Sequence, residues 1–144
     1  MSSADWEHTI AFMGIAGANA DLACRQNHPY MQTLATPSFE DAFKAVSEGR
    51  AKYAMIPIVN SQAGRVAEIH NLLPRTNLHI VAEHLQKIEH HLYAVPGAQL
   101  EDVKEVYSHH QGLMQCRKFI AEHGFKTNIH DNTATAARDV AQWG

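Results

Sequence analysis

The sequence predicts an α/β fold made of two small lobes with a ligand cleft between them. Short apolar stretches alternate with helix-like stretches along most of the 144 residues. Several apolar stretches end in a turn of small or polar residues, as strands do at the carboxyl edge of an α/β sheet, where ligands bind. The pattern is interrupted at residues 75–77, so we expect lobes at residues 1–76 and 77–144.

Composition excludes several classes of function. The net charge of -3 gives no basic surface for nucleic acid, and no apolar run is long enough to span a bilayer. The first residues lack the basic and apolar regions of a secretory leader, which predicts a cytoplasmic protein. Cys24 and Cys116 are the only cysteines, and two isolated cysteines indicate reduced thiols and not a disulfide framework.

The 11 histidines do not have the spacing of a metal site. No two lie two residues apart, which would place both on one face of a strand, and no two lie four apart, as on one helix face. The adjacent pairs His90-His91 and His109-His110 would point to opposite faces of a strand. We therefore expect no metal, although a site assembled from distant histidines stays open.

In the first lobe the pattern predicts three strands and three helices. Ser38 and Asp41 have the spacing of a helix capping box, and Gly49 is placed to end that helix. A third helix is expected after Gly64 and ends at Pro74. The predicted strands are residues 9–12, 31–35 and 53–58, and the first helix follows the Gly14–Gly17 turn and runs through residue 25.

In the second lobe the pattern predicts four strands, at residues 78–82, 88–95, 103–107 and 126–129. A helix follows the third of these strands and is expected to end at Gly124. Its buried face is predicted to contain Leu113, Cys116 and Ile120. A last helix begins at Asn132 or Thr133.

Three of the predicted helices begin directly after a strand and a turn of small residues. These turns are Gly14–Gly17, Asn60–Gly64 and Ser108–Gln111. Helix starts offer unpaired N–H groups and a partial positive charge, so they bind carboxylates or phosphates. Each turn alone is also explained by ordinary strand–turn–helix punctuation. Together they favour a small anionic ligand, and no Gly-Lys-Ser/Thr follows Gly17 as a P-loop would require.

Five segments carry a more specific pattern, which keeps its order and spacing from about Ile10 to Val140. They are Gly14…Gly17-Ala18-Asn19-Ala20, Ser38-Phe39…Phe43…Val46…Gly49, Ile56-Pro57-Ile58-Val59-Asn60-Ser61 with Ala63-Gly64-Arg65-Val66, Ser108-His109-His110-Gln111-Gly112-Leu113, and Asn132-Thr133-Ala134-Thr135-Ala136-Ala137. Taken together, these segments resemble the motifs of the prephenate dehydratase family.

The resemblance implies a fold and a reaction. The fold is two-lobed, similar to type 2 periplasmic-binding proteins. The reaction removes the ring carboxylate and the C4 hydroxyl of prephenate together, giving phenylpyruvate, carbon dioxide and water on the route to L-phenylalanine. The resemblance further implies a small-molecule substrate and a homo-oligomer. It implies no metal or organic cofactor and no nucleic acid or membrane partner. The enzyme's work is to position a dicarboxylate and to protonate a poor leaving group.

The resemblance also implies the site residues. Asn60, Ser61, Ser108 and Gln111 are the expected catalytic residues, with the two amides bonding substrate oxygens and the two hydroxyls donating to a carboxylate. The other expected substrate-binding residues are Gly14, Gly17, Ala18, Gly64 and Thr133. For Ser61, Ser108 and Thr133, capping of a helix is the alternative role.

Two departures from the family pattern bear on activity. Val59 stands where the family usually has a glutamate, and valine cannot donate a proton. The Thr-Arg-Phe motif and the ACT regulatory domain of the family are not in this sequence, so we expect a fragment or a shortened relative with little activity alone, which associates to cover an open sheet edge. The alternative function is a non-catalytic two-lobed module that binds a small aromatic or dicarboxylate ligand.

Overall fold

The structure is a computed structural model that describes residues 5–61 and 64–144. The chain divides into two compact units, Met1–Lys87 and Ile88–Gly144. Both contain parallel strands and helices, which confirms the predicted α/β class. No helix of the described residues is long and apolar enough to cross a membrane.

The first unit is built on a three-stranded parallel sheet in the order β2-β1-β3. Its strands are β1 (Thr9–Met13), β2 (Gln32–Thr36) and β3 (Tyr53–Met55). The predicted third strand, residues 53–58, is shorter than expected. β3 pairs with β1 only through Met55, and Pro57 has no N–H group to continue the ladder.

Two helices cover this sheet, α1 (Asn19–Asn27) and α2 (Phe39–Ser47). The predicted N-cap of α2 is confirmed, because the Asp41 N–H donates to Ser38 Oγ over 3.0 Å. The reciprocal half of the predicted capping box differs, since the Asp41 carboxylate accepts from the Ser38 hydroxyl over 2.6 Å and not from the Ser38 N–H. The predicted end is confirmed as well, since Gly49 has a φ of 70°. Buried residues of the described part of the chain form three clusters. Cys24 of α1 packs with Ile10 and Phe12 of β1. Ala42 and Ala45 of α2 pack with Ala11 of β1, and Phe39 and Phe43 of α2 pack with Ile69.

The segment after Pro57 differs from its prediction. Val59–Asn60 (β4) and Gly64–Arg65 (β5) form a small antiparallel pair, so Gly64 belongs to a strand and not to the turn before a helix. The helix α3 (Ala67–Leu72) begins later than expected and continues into a 3-10 turn, Leu73–Arg75, at Pro74. Ala63, which belongs to the expected motif, lies outside the described residues.

The two strands predicted at residues 78–82 and 88–95 are wrong. Neither segment pairs with another strand of the described residues. A strand is stable only when its backbone groups bond to a neighbour. The apolar side chains that suggested strands are instead exposed, and they include Ile80, Val81, Leu92 and Tyr93.

The second unit has a two-stranded parallel sheet of β6 (Glu105–Ser108) and β7 (Lys126–Ile129). The helix predicted between these strands is interrupted at Cys116, which has a φ of -98° and a ψ of 7°. It therefore forms α4 (His110–Gln115) and α5 (Arg117–His123), and Gly124 ends α5 as predicted, in the left-handed region. The last helix, α6 (Thr133–Trp143), begins where the sequence predicts.

Candidate functional site

In the first unit, the expected residues Gly14, Gly17 and Ala18 lie in the loop between the carboxyl end of β1 and the start of α1. Their N–H groups are already used within the unit. Gly14 donates to Thr36 O over 2.9 Å, and Ala18 donates to Ile15 O over 3.1 Å. Gly17 donates to Asp21 Oδ2 over 2.9 Å. These three residues therefore shape the loop, and their own amides are not open to a ligand.

Asp21, the third residue of α1, stabilises this loop by bonding to the Gly17 amide. Its side chain is buried, and besides the Gly17 amide it accepts a hydrogen bond from Arg25 Nε over 3.0 Å. Burial raises the pKa of the carboxyl, but the hydrogen bonds from Gly17, Arg25 and Thr33 outweigh it, and the net shift is downward from the ordinary value. Asp21 is thus ionised at neutral pH and holds the loop with its charge.

The amides that remain at this helix start are those of Asn19 and Ala20, the first two residues of α1. Ala18, the N-cap residue, contributes no side-chain bond to them. In the described part of the chain neither amide has a hydrogen-bond acceptor. The sequence predicted N–H donors at this helix start, but the residues named for binding were Gly14, Gly17 and Ala18 and not Asn19 or Ala20, although the first amides of any helix lack an intrahelical partner.

Asn60, Ser61 and Gly64 lie in or beside the β4–β5 pair. Asn60 is half-buried and opposite Gly64 in the register, whereas Ser61 is exposed. Ser61 does not cap α3, whose N-cap is Val66. Val59 is 63% exposed and belongs to none of the three core clusters of the described residues. A residue at position 59 is therefore accessible to a ligand.

In the second unit, Ser108, Gly112 and Thr133 lie together at the carboxyl ends of β6 and β7. A Cβ atom added at Gly112 would lie 2.8 Å from Ser108 Oγ and 3.6 Å from Thr133 Cγ2. Ser108 is the last residue of β6, and its carbonyl accepts the His130 N–H over 2.9 Å. Two of the expected site residues are thus neighbours, and the absence of a side chain at Gly112 leaves the space that the Ser108 hydroxyl occupies.

The caps of α4 and α6 decide between the two roles left open for Ser108 and Thr133. His109 Nδ1 accepts the Gln111 N–H over 3.3 Å, so His109 and not Ser108 caps α4. Asn132 Oδ1 accepts the Thr135 N–H over 2.8 Å, so Asn132 caps α6 and Thr133 is its first helical residue. Ser108 and Thr133 are therefore not consumed by capping, while the Gln111 side chain is exposed.

No cluster of three or more potential metal ligands occurs among residues 5–61 and 64–144. An apolar groove of about 280 Å³ lies in the second unit, with Leu92, Leu100 and Phe119 in its lining. None of the expected site residues lines this groove. The chemistry available at the expected positions is accordingly that of hydroxyls, amides and helix-start N–H groups, which suits a small carboxylate better than an apolar ligand.

Comparison with known proteins assigns the chain to a family. The family model for prephenate dehydratase matches residues 10–144. A bifunctional N-acyl-homoserine lactone acylase/prephenate dehydratase of Komagataeibacter europaeus is 44% identical over 138 residues, which are 96% of this chain and 49% of that protein. An arogenate dehydratase/prephenate dehydratase 2 of Arabidopsis thaliana is 35% identical over 132 residues, 92% of this chain and 35% of that protein.

A solved structure supports the fold. The prephenate dehydratase from Staphylococcus aureus superposes with a TM-score of 0.78 at 23% identity, over 92% of this chain and 51% of that one. The chain thus spans about half or less of the length of the proteins it matches. A family match over residues 10–144 covers nearly all of the sequence, and the chain therefore belongs to the prephenate dehydratase family.

Proposed function

We propose that the chain carries the substrate-binding and dehydrating site of a prephenate or arogenate dehydratase. The observation that carries the proposal is the grouping of Ser108, Gly112 and Thr133 at the carboxyl ends of β6 and β7. That edge of a parallel sheet is where α/β proteins bind ligands. The names of the relatives supply the substrate class, a ring that carries a carboxylate and a hydroxyl leaving group.

The proposed reaction loses the ring carboxylate as carbon dioxide and the ring hydroxyl as water, and forms an aromatic product. The side-chain amides of Asn60 and Gln111 form hydrogen bonds with substrate oxygens. The hydroxyl groups of Ser61 and Ser108 donate hydrogen bonds to a substrate carboxylate. The Asn19 and Ala20 amides at the start of α1 offer the partial positive charge that a carboxylate prefers. Gly14, Gly17 and Ala18 shape the loop before α1, while Gly64 and Thr133 complete the binding residues.

The proposal keeps the two-lobed binding fold expected from the sequence. It also keeps the expected setting, a cytoplasmic homo-oligomer in phenylalanine biosynthesis. The family's usual glutamate is replaced by Val59, which cannot protonate the leaving hydroxide. We therefore expect the dehydration step to be slow and substrate binding to be retained.

Restoring the acid tests this function directly. Val59→Glu is expected to raise the rate of phenylpyruvate formation from prephenate by about a hundredfold or more, within the range of general acid catalysis. Because the side chain is 63% exposed, the change should alter the free energy of unfolding by less than about 0.5 kcal/mol. Val59→Gln is the matched control, since it adds a polar side chain that donates no catalytic proton. Equal rates in all three proteins would contradict the role given to position 59.

The alternative function, a binding module without catalysis, is separated by calorimetry. Titration with prephenate, arogenate, phenylpyruvate and phenylalanine, beside turnover assays with the first two, distinguishes binding from catalysis. Binding of prephenate without turnover, even in Val59→Glu, would favour the module. No binding of any of the four ligands would refute both functions.

A further inference from the structure

A hydroxyl, an imidazole and a carboxylate lie in line at the start of α6. Thr135 Oγ1 is 3.0 Å from His130 Nδ1, and His130 Nε2 is 3.0 Å from Asp139 Oδ2. Thr135 and Asp139 are four residues apart on one helix, so their side chains share a face. His130 follows β7, and its ring lies between them, partly shielded from solvent. None of the three residues was singled out from the sequence as part of a site.

The hydrogen bonds define which nitrogen carries the proton. The backbone N–H of Asp131 donates to His130 Nδ1 over 3.0 Å, so Nδ1 is an acceptor in the neutral ring. The ring proton is then on Nε2 and points to the Asp139 carboxylate. The Arg138 guanidinium, 2.9 Å from Asp139 Oδ1, lowers the pKa of that carboxyl. An ionised carboxylate on one nitrogen and a hydroxyl on the other is the arrangement that activates a nucleophile.

The start of α6 also offers donors for a developing oxyanion. In the 11-residue helix α6, the first two amides, of Thr133 and Ala134, have no acceptor among the residues described. The following amide, of Thr135, is taken by Asn132 Oδ1. The open amides belong to the two residues directly before Thr135. Such N–H groups stabilise negative charge on a carbonyl oxygen under attack.

We propose that Thr135, His130 and Asp139 form a second reactive centre beside the proposed dehydratase residues, which hydrolyses small carboxylic esters. Thr135 Oγ bonds to the acyl carbon while its proton passes to His130 Nδ1, and the carbonyl π electrons move onto oxygen. The tetrahedral intermediate collapses, the bond to the alcohol breaks, and His130 returns the proton to the leaving alkoxide. A water molecule then attacks the Thr135 ester by the same route and releases the carboxylic acid.

The competing interpretation is that Thr135, His130 and Asp139 only stabilise the first turns of α6. The Thr135 hydroxyl also lies 3.1 Å from the carbonyl oxygen of Asn132, and the lone pair on His130 Nδ1 is shared with the Asp131 N–H. A hydroxyl that donates to Asn132 instead would be inert. The two interpretations differ in one measurable property, the formation of an acyl ester on Thr135.

The test uses the purified chain and p-nitrophenyl acetate as the probe. We expect a burst of p-nitrophenolate and an acetyl group located on Thr135 by mass spectrometry of acid-quenched protein. Thr135→Val should abolish the burst, Thr135→Ser should keep it, and His130→Asn should slow it at least tenfold. His123→Asn is the matched control, because His123 is an exposed ring bonded to the carbonyl of Phe119, and it should leave the burst unchanged.

Three results would overturn the proposal. The first is acetylation of a residue other than Thr135. The second is a burst in Thr135→Val as large as that of the parent chain. The third is an equal reduction of the burst rate in His130→Asn and His123→Asn. Circular dichroism of each variant identifies misfolding, and Thr135→Ser retains the hydroxyl if Thr135→Val does not fold. Prephenate turnover, measured on the same proteins, reports the dehydratase separately, so failure of one function is distinguishable from failure of the other.

Discussion

The starts of α1 and α6 are both stabilised by a side chain that accepts a backbone N–H, but the accepting groups differ in charge and position. At α1 the N-cap residue is Ala18, which has no capping side chain, and the buried carboxylate of Asp21 reaches back to the Gly17 amide instead. At α6 the neutral Asn132 side chain caps the helix directly. Both leave two amides open. The comparison teaches that the first helix start depends on one buried charge, whereas the second depends on a local cap that a similar side chain can replace.

The largest expected effect comes from removing that charge. Asp21→Ala should lower the free energy of unfolding by about 1–3 kcal/mol, because the variant loses the hydrogen bonds that the buried, charged carboxylate accepts from the Gly17 amide and the Arg25 side chain. Urea denaturation measures it. Glu40→Ala, an exposed acid in the first turn of α2, is the control and should change stability by less than about 1 kcal/mol. Equal effects would mean that the α1 start does not depend on Asp21.

The same residue predicts a pH dependence. Hydrogen bonds hold the pKa of Asp21 below its ordinary value, which in an unfolded chain is about 3.9. The stability it contributes is therefore fully present above that value and is lost as the pH falls through the lower folded-state pKa. The difference in unfolding free energy between the parent chain and Asp21→Asn should shrink as the pH falls from 6 to below about 3. A difference that stays constant over this range would contradict a charge-based role.

A smaller effect is expected at the second helix start. Asn132→Ala should cost about 1 kcal/mol, the usual value for loss of an N-cap, and Asn132→Asp should cost almost nothing because it keeps the accepting oxygen. Urea denaturation of both variants measures the comparison. If Asn132→Ala destabilises the chain as much as Asp21→Ala does, the contrast between the two starts is wrong.

The smallest effect on stability, and a sharper one on binding, is expected from Gly112→Ala. The new Cβ would lie 2.8 Å from Ser108 Oγ and would force that hydroxyl to rotate away. The gain in helix propensity, about 1 kcal/mol, offsets the crowding, so unfolding should change by only a few tenths of a kcal/mol. Prephenate affinity measured by calorimetry should fall several-fold. Unchanged affinity would remove Ser108 from the proposed binding residues.

The sequence predicted the elements whose signals are local. Ser38, Asp41 and Gly49 marked both ends of α2 correctly because a cap depends on residues a few positions apart. The prediction of strands at residues 78–82 and 88–95 was wrong, because the pattern of apolar residues indicates which side chains a strand would bury. It does not indicate whether a partner strand exists. The pairing of β4 with β5 was missed for the same reason, because it joins Val59 to Arg65 and Asn60 to Gly64.

The sequence determined the family, because motif spacing and residue type can be read without coordinates, and it supplied the polar residues that we propose for the site. Only the tertiary structure showed that the Gly14, Gly17 and Ala18 amides are consumed within the first unit. It also brought Ser108 and Thr133 to Gly112, although Ser108 and Thr133 are 25 positions apart in the chain. The physical reason is that a hydrogen bond or a close contact is a property of two groups in space, and a sequence specifies only the groups.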